Sequence, residues 1–288
     1  MSARTMRLAA VAVTVPAPES TARFLAETLD FAVAGSGDRV HLTAQGEYGG
    51  DGPRRMLTLV RGPSLGVAAL TFEHSDTAAL RGRLQTKGVA VRELPADDEN
   101  DAAIGFTDPE GLAVACAAGS PRLGHPLPAS DVRPRRLGHV NLAVKDAPAE
   151  AAFYADVLGL RLSEQIGEQF FFLRVGSEHH NLGFRGNAQR ATVHHIAFEI
   201  AGWESFRTIC DRVADRGHVV EYGPGRHGPG HNLFVYLVEP TSGLRLELYA
   251  DMARIEDEAG YRPKRWDSAD RVKTVNRWGP QPPESFLK

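Results

Sequence analysis

The sequence predicts an α+β protein built as two tandem modules. Three observations carry this. The chain repeats itself: RLAAVAVTV (7–15) matches RLGHVNLAV (136–144), FLAETLDF (24–31) matches FYADVLGL (153–160), and ALTFEH (69–74) matches HIAFEI (195–200). A repeat of this kind fixes an architecture before any single element is considered. Each copy also alternates period-two apolar runs with helix-like stretches. Between the copies, residues 120–135 hold Pro121, Pro126, Pro128 and Pro134, which predicts an extended, fairly stiff linker. The expected division is a first module at 6–118, a linker at 119–135, a second module at 136–250 and a tail at 251–288.

In chain order, residues 8–15 read as a strand and 18–29 as a helix with Phe24, Leu25 and Leu29 on one stripe. Residues 39–42, 56–60 and 67–72 read as strands, and the glycine-rich 46–53 as a mobile loop. Asp76 is placed to cap a helix over 76–86, with Gly88 just past its end. Strands follow at 89–92, 103–107 and 112–117, the last two joined by a DPEG turn at 108–111. In the second module Asp146 can cap a helix that carries Pro148 in its first turn and stops at Gly159. Another helix spans 203–216 and stops at Gly217. Each half-module therefore reads as strand, helix, then two or three strands. The tail shows only a short helical stretch near 252–259.

Composition excludes several classes. Hydrophobic residues make up 42% and charged residues 24%, as in globular proteins, and the net charge is -3. Nothing here calls for nucleic acid or a membrane surface as partner. No apolar run reaches transmembrane length, and residues 1–15 lack a signal-peptide layout. Cys116 and Cys210 read as buried free thiols of a cytoplasmic protein. Eight of the 11 histidines lie between His139 and His231, which places metal chemistry in the second half.

Three strand-like segments each bury one face and carry a candidate ligand on the other. Leu244, Leu246 and Leu248 are opposite Glu247. Val140, Leu142 and Val144 are opposite His139 and Asn141. Ile196, Phe198 and Ile200 are opposite His195. An acid in an apolar strand needs a partner, because an unpaired buried carboxylate is costly. Two histidines and a carboxylate are the facial ligand set of non-haem Fe(II) oxygenases. In the repeat, His139, His195 and Glu247 fall on Ala10, Ala69 and Ala115, so all three are missing together from the first copy. That copy reads as a metal-free structural module.

The motifs LGHVNLAV, HHIAFEI, GPGRHG followed by VYLVEP, and GLRLELY, in this order, resemble the type I extradiol ring-cleaving dioxygenases of the vicinal oxygen chelate superfamily. The resemblance covers residues 7–250, strongly after 136. It implies two tandem vicinal-oxygen-chelate modules, each of two βαβββ units forming a cupped mixed sheet. It implies Fe(II), with Mn(II) as an alternative, on His139, His195 and Glu247. His180 would be the acid/base, Tyr236 a substrate-facing hydroxyl and His227 a pocket histidine, while His194 would not be a ligand. Asn181 departs from the acidic residue expected there. Tyr222 replaces an arginine found in members that take carboxylated catechols, which argues against an anionic substrate side chain unless Arg185, Arg226 or a tail residue replaces it. The implied reaction joins a catechol and O2, giving a 2-hydroxymuconic semialdehyde-type product, in a homo-oligomer.

Histidine suits the acid/base role because its pKa lies near working pH. The GPGRHGPG run precedes a strand, so it is no phosphate loop. His218 and His231 read as surface residues. A glyoxalase-type isomerase or epimerase would share the scaffold but usually needs a fourth protein ligand. A ligand-sequestering protein would leave the three ligand candidates without a purpose. A hydroxyphenylpyruvate-type dioxygenase would need a C-terminal helix that the tail does not show.

Overall fold

The computed structural model describes residues 6–45, 52–96, 102–119 and 125–287. Most of the loop expected at 46–53 and the start of the linker lie outside the described residues.

The first half contains β1 (Met6–Val15), α1 (Pro18–Leu29), β2 (Ala32–Ser36), β3 (Arg39–Ala44), β4 (Arg54–Arg61), β5 (Gly66–His74), α2 (Thr77–Thr86), β6 (Arg92–Leu94), β7 (Ala103–Thr107) and β8 (Ala113–Ala117). The second half repeats the series: β9 (Arg136–Ala143), α3 (Ala147–Leu158), β10 (Arg161–Ile166), β11 (Phe170–Arg174), β12 (Leu182–Arg185), β13 (Thr192–Glu199), α4 (Trp203–Asp215), β14 (Tyr222–Arg226), β15 (Leu233–Val238) and β16 (Arg245–Ala250). The tail adds β17 (Lys264–Trp266), a short α5 (Arg271–Thr274) and a final 3-10 turn at Glu284–Leu287.

The two sheets share one strand order. The first runs β2-β3-β4-β1-β5-β8-β7-β6. The second, read from its far end, runs β10-β11-β12-β9-β13-β16-β15-β14, with β17 added beyond β10. In both sheets the central pairs run parallel, antiparallel, parallel and, β17 apart, the pairs outside them are antiparallel, so each sheet is mixed. Register makes the repeat literal. Ala197 pairs with both His139 and Glu247. Thr71 pairs with both Ala10 and Ala115.

The helix ends follow local chemistry. The carboxylates of Asp76 and Asp146 accept from the backbone N–H three residues on, at 2.8 and 3.0 Å. Gly159 closes α3 at φ 74, a left-handed position that glycine takes without strain. One hydrophobic core runs through both halves. Rings pack across the junction: Phe31 on Phe198, Phe72 on Tyr154 and Phe106 on Phe153. The linker residue Val132 is fully buried, and Ser130 donates to Asp30 at 2.6 Å.

Two expectations change. The strand expected at 89–92 forms at Arg92–Leu94. The helix expected near 252–259 is absent because its backbone groups are used elsewhere. Ala253 accepts from the His179 N–H and donates to the Gly230 carbonyl, and the Ile255 N–H donates to Ser177. No helix among the described residues is long and apolar enough to cross a membrane.

Candidate active site

Adjacent strands β9, β13 and β16 bring the three ligand candidates to one point. The apolar faces expected from the sequence are buried: Val140, Leu142, Ile196, Leu246 and Leu248 are each 0% exposed. On the other face, His139 Nε2 lies 3.2 Å from His195 Nε2. Glu247 Oε2 lies 3.1 Å from each of them. This near-equilateral triangle matches three mutually cis donors on an octahedral ion, which sit about 3.0 Å apart when bonds are about 2.1 Å. Glycines allow the close approach of strands and side chains here. A Cβ on Gly138 would sit 2.0 Å from the Tyr249 hydroxyl, and one on Gly183 would sit 2.4 Å from Asn141 Nδ2.

The hydrogen bonds behind the triangle fit a cation. The Phe286 carbonyl, which can only accept, lies 3.0 Å from His194 Nε2, so that nitrogen carries the proton. His194 Nδ1 must then accept from His195 Nδ1, 2.8 Å away. His195 Nε2 is left with a bare lone pair facing Glu247. Burial pushes the His195 imidazole down to about 4 against the pull of Glu247, so it is neutral at working pH. Burial raises the Glu247 carboxyl, but its histidine neighbours win and hold it well below the usual range. Asn232 Nδ2 donates to Glu247 Oε1 and the Tyr236 hydroxyl to Oε2, both at 2.8 Å. A carboxylate and the bare His195 nitrogen aimed at one point repel unless a cation lies between them. Among the described residues, this is the group able to hold a metal ion.

All six sequence-predicted residues line one cavity of about 210 Å³. The His180 ring lies 4.2 Å from that of His139. Burial, reinforced by His139 and His179, holds His180 well below its usual pKa. His227 Nδ1 donates to the Val275 carbonyl at 2.6 Å, leaving Nε2 to face the Tyr236 hydroxyl at 3.0 Å. The remaining walls are largely apolar: Ile166, Phe170, Phe172, Pro229, Val275 and Phe286.

Sequence reasoning missed part of this wall. Val275, Pro282, Phe286 and Leu287 come from the tail, which folds back over the second sheet. Asn141 lines the cavity, and its signal was visible: it lies two residues after His139 on the same face. Asn181, the departure from the resembled pattern, is a structural brace. It donates to the Gly138 carbonyl at 3.0 Å and accepts from the Val175 N–H at 2.9 Å. Tyr222 is turned into a ring cluster with Phe234 and Phe286, and its hydroxyl donates to the Pro280 carbonyl. His218 and His231 are half-buried, the first edge-on to Phe24 and the second 2.9 Å from Arg277 Nη1.

Comparisons with known proteins find relatives and structural neighbours along most of the chain. Metapyrocatechase 2 of Cupriavidus necator is 30% identical over 77% of this chain and 75% of its own length. Metapyrocatechase of Geobacillus stearothermophilus is 25% identical over 94% of this chain and 89% of its own. Homoprotocatechuate 2,3-dioxygenase of Arthrobacter globiformis superposes with a TM-score of 0.85 at 22% identity, covering 98% of this chain and 90% of that one. A Mn(II)-bound glyoxalase of Novosphingobium aromaticivorans superposes with 0.82 at 22% identity, covering 98% and 94%. The fold alone thus spans two chemistries. The family described as Glyoxalase/Bleomycin resistance protein/Dioxygenase superfamily matches residues 7–115 and 136–261. With both halves matched and the two sheets in one strand order, this chain belongs to the glyoxalase/bleomycin resistance protein/dioxygenase superfamily.

Proposed function

We propose that this protein is an extradiol dioxygenase that opens the ring of a catechol with O2, giving a 2-hydroxymuconic semialdehyde-type product. The observation that carries the reading is the triangle of His139, His195 and Glu247 beneath an apolar cavity, with His180 beside it. Three protein donors leave one face of an octahedral ion for substrates. The relatives named metapyrocatechase support the same reading.

Fe(II), or Mn(II) on the same donors, would supply Lewis acidity toward two vicinal hydroxyls and redox chemistry toward dioxygen. The protein does the rest. His180 takes a hydroxyl proton from the substrate and later returns one to a departing oxygen. Tyr236 donates to a substrate oxygen and exchanges that bond with its present one to Glu247. His227, fixed by the Val275 carbonyl, walls the pocket beside the Tyr236 hydroxyl. Phe170, Phe172 and Phe286 exclude water and orient the ring. Tyr222 is turned into its ring cluster, but Arg185 is a cation in the cavity wall, so the substituted-catechol panel decides the charge of the ring substituent. On this reading the catalytic module is 136–250 and the module at 6–118 carries no metal. A cytoplasmic homo-oligomer is the expected setting.

Oxygen uptake by Fe(II)-loaded protein, given catechol and 3- or 4-substituted catechols, tests the proposal. Uptake equal to yellow product is expected. Iron firmly bound with no uptake across the panel rejects ring cleavage and turns attention to an isomerase.

A further inference from the structure

His180 belongs to a second histidine pair beside the site, whose other member, His179, does not line the cavity. His179 Nδ1 lies 2.9 Å from His180 Nδ1. At that separation, one proton lies between two neutral rings. The far side of His179 decides which ring owns it. His179 Nε2 lies 3.3 Å from Glu164 Oε2, too bent for a hydrogen bond but with no nearer polar partner. The same oxygen accepts the Trp266 indole N–H at 2.7 Å, so it is held in place from the tail. Glu164 is 7% exposed and His179 is 3% exposed. A carboxylate at that distance favours the proton on His179 Nε2. Neutral His179 then offers a lone pair at Nδ1, and His180 Nδ1 must be the donor. His180 Nε2 is left bare for the cavity that its ring lines.

We infer that Glu164 and His179 are positioning residues: they fix His180 in the tautomer that presents a proton acceptor to the substrate. The inference rests on the proposed role of His180 as acid/base. When His180 Nε2 takes the substrate proton, Nδ1–H stays bonded to His179, and the ring keeps its orientation for the return step. No atom is exchanged with Glu164, which acts through its field alone. The mirror arrangement at His194 and His195 sets a ligand nitrogen by the same logic, with a carbonyl in place of the carboxylate.

Two measurements test this. In Zn(II)-loaded protein carrying 15N-histidine, the His180 ring should hold its proton on Nδ1. His179→Phe should move it to Nε2, and His179→Asn, whose Oδ1 replaces the Nδ1 acceptor, should not. A parent proton on Nε2 overturns the inference, whatever the enzyme turns over. In iron-loaded protein, His179→Phe should keep its iron and its anaerobic affinity for 4-nitrocatechol while kcat for catechol falls about 10–100-fold at unchanged KM. His179→Asn should recover kcat to within about threefold, and Glu164→Gln should fall between the two. His179→Phe turning over like the parent, or His179→Asn as slow as His179→Phe, overturns it. A parent that fails to cleave any catechol counts against the proposed function, and the tautomer measurement still decides this inference.

Discussion

At the scale of single residues, the four predicted histidines, the tyrosine and the glutamate of the cavity divide by what they touch. His195 presents Nε2 to Glu247 and gives its other nitrogen to His194. Replacing it removes a donor but little packing, since β13 is held by β9 and β16 on both sides. His195→Ala should therefore lose iron on dialysis while circular dichroism stays unchanged; iron retained at the parent's level would reject the assignment. His180 is no part of the donor triangle. His180→Ala should keep its iron and lose about 10²–10⁴-fold in kcat, the usual worth of a positioned acid/base. These residues were legible because period-two alternation puts a ligand opposite each buried triplet. Glu164 and His179 were not. Their meaning depends on a pairing between β10 and the loop before β12, which no local pattern reports.

At the scale of elements, the tail carries more of the site than its sequence suggests. Its residues 264–287 run from β17 past Val275, whose carbonyl sets His227, to Phe286, whose carbonyl sets His194. The Phe286 ring also lies 4.7 Å from that of Tyr236. Ending the chain after Pro283 should raise KM for catechol about tenfold and weaken iron retention by a similar factor, because the His194 tautomer is then free. Unchanged values in steady-state kinetics and dialysis would show that the tail is only a cover. The helices of both modules were legible at their ends, where Asp76, Asp146, Gly159 and Gly217 mark caps and stops. The tail was not, because its bonds reach across the second sheet and leave no periodicity. Strand β2 was also missed: its AVAGS lies at an edge and buries almost nothing.

At the scale of the whole molecule, the junction between modules holds an unusual acid. Glu150 is 1% exposed, and its Oε1 accepts from the Glu110 N–H at 2.9 Å. Burial, then the nearby Asp108, pushes its carboxyl up to about 8. The folded state thus binds a proton that the unfolded state has released above its ordinary carboxylate range. Stability from this group is full below that range and is lost as pH rises toward 8. Glu150→Gln should therefore raise the Tm by a few degrees at pH 8.5 and by much less at pH 5. Equal shifts at both values would show that the acid is not the cause. The duplicated architecture itself was the most legible feature, since paired motifs recur in one order along the chain.

The extra strand β17 alters how the two halves meet their surroundings. It lies parallel to β10 and uses the backbone groups that β10 would otherwise offer outward. At the other edge, β14 is engaged by residues 276 and 277 of the tail. Among the described residues the first sheet has no such guard. Its β2 corresponds to β10 but among them pairs only with β3, and Val33 is 45% exposed. An unpaired edge is a template for another strand. Amide hydrogens of Ala32–Ser36 should exchange faster than those of Arg161–Ile166, and any strand-to-strand docking between copies would begin on the first module, leaving the second sheet outside the seam.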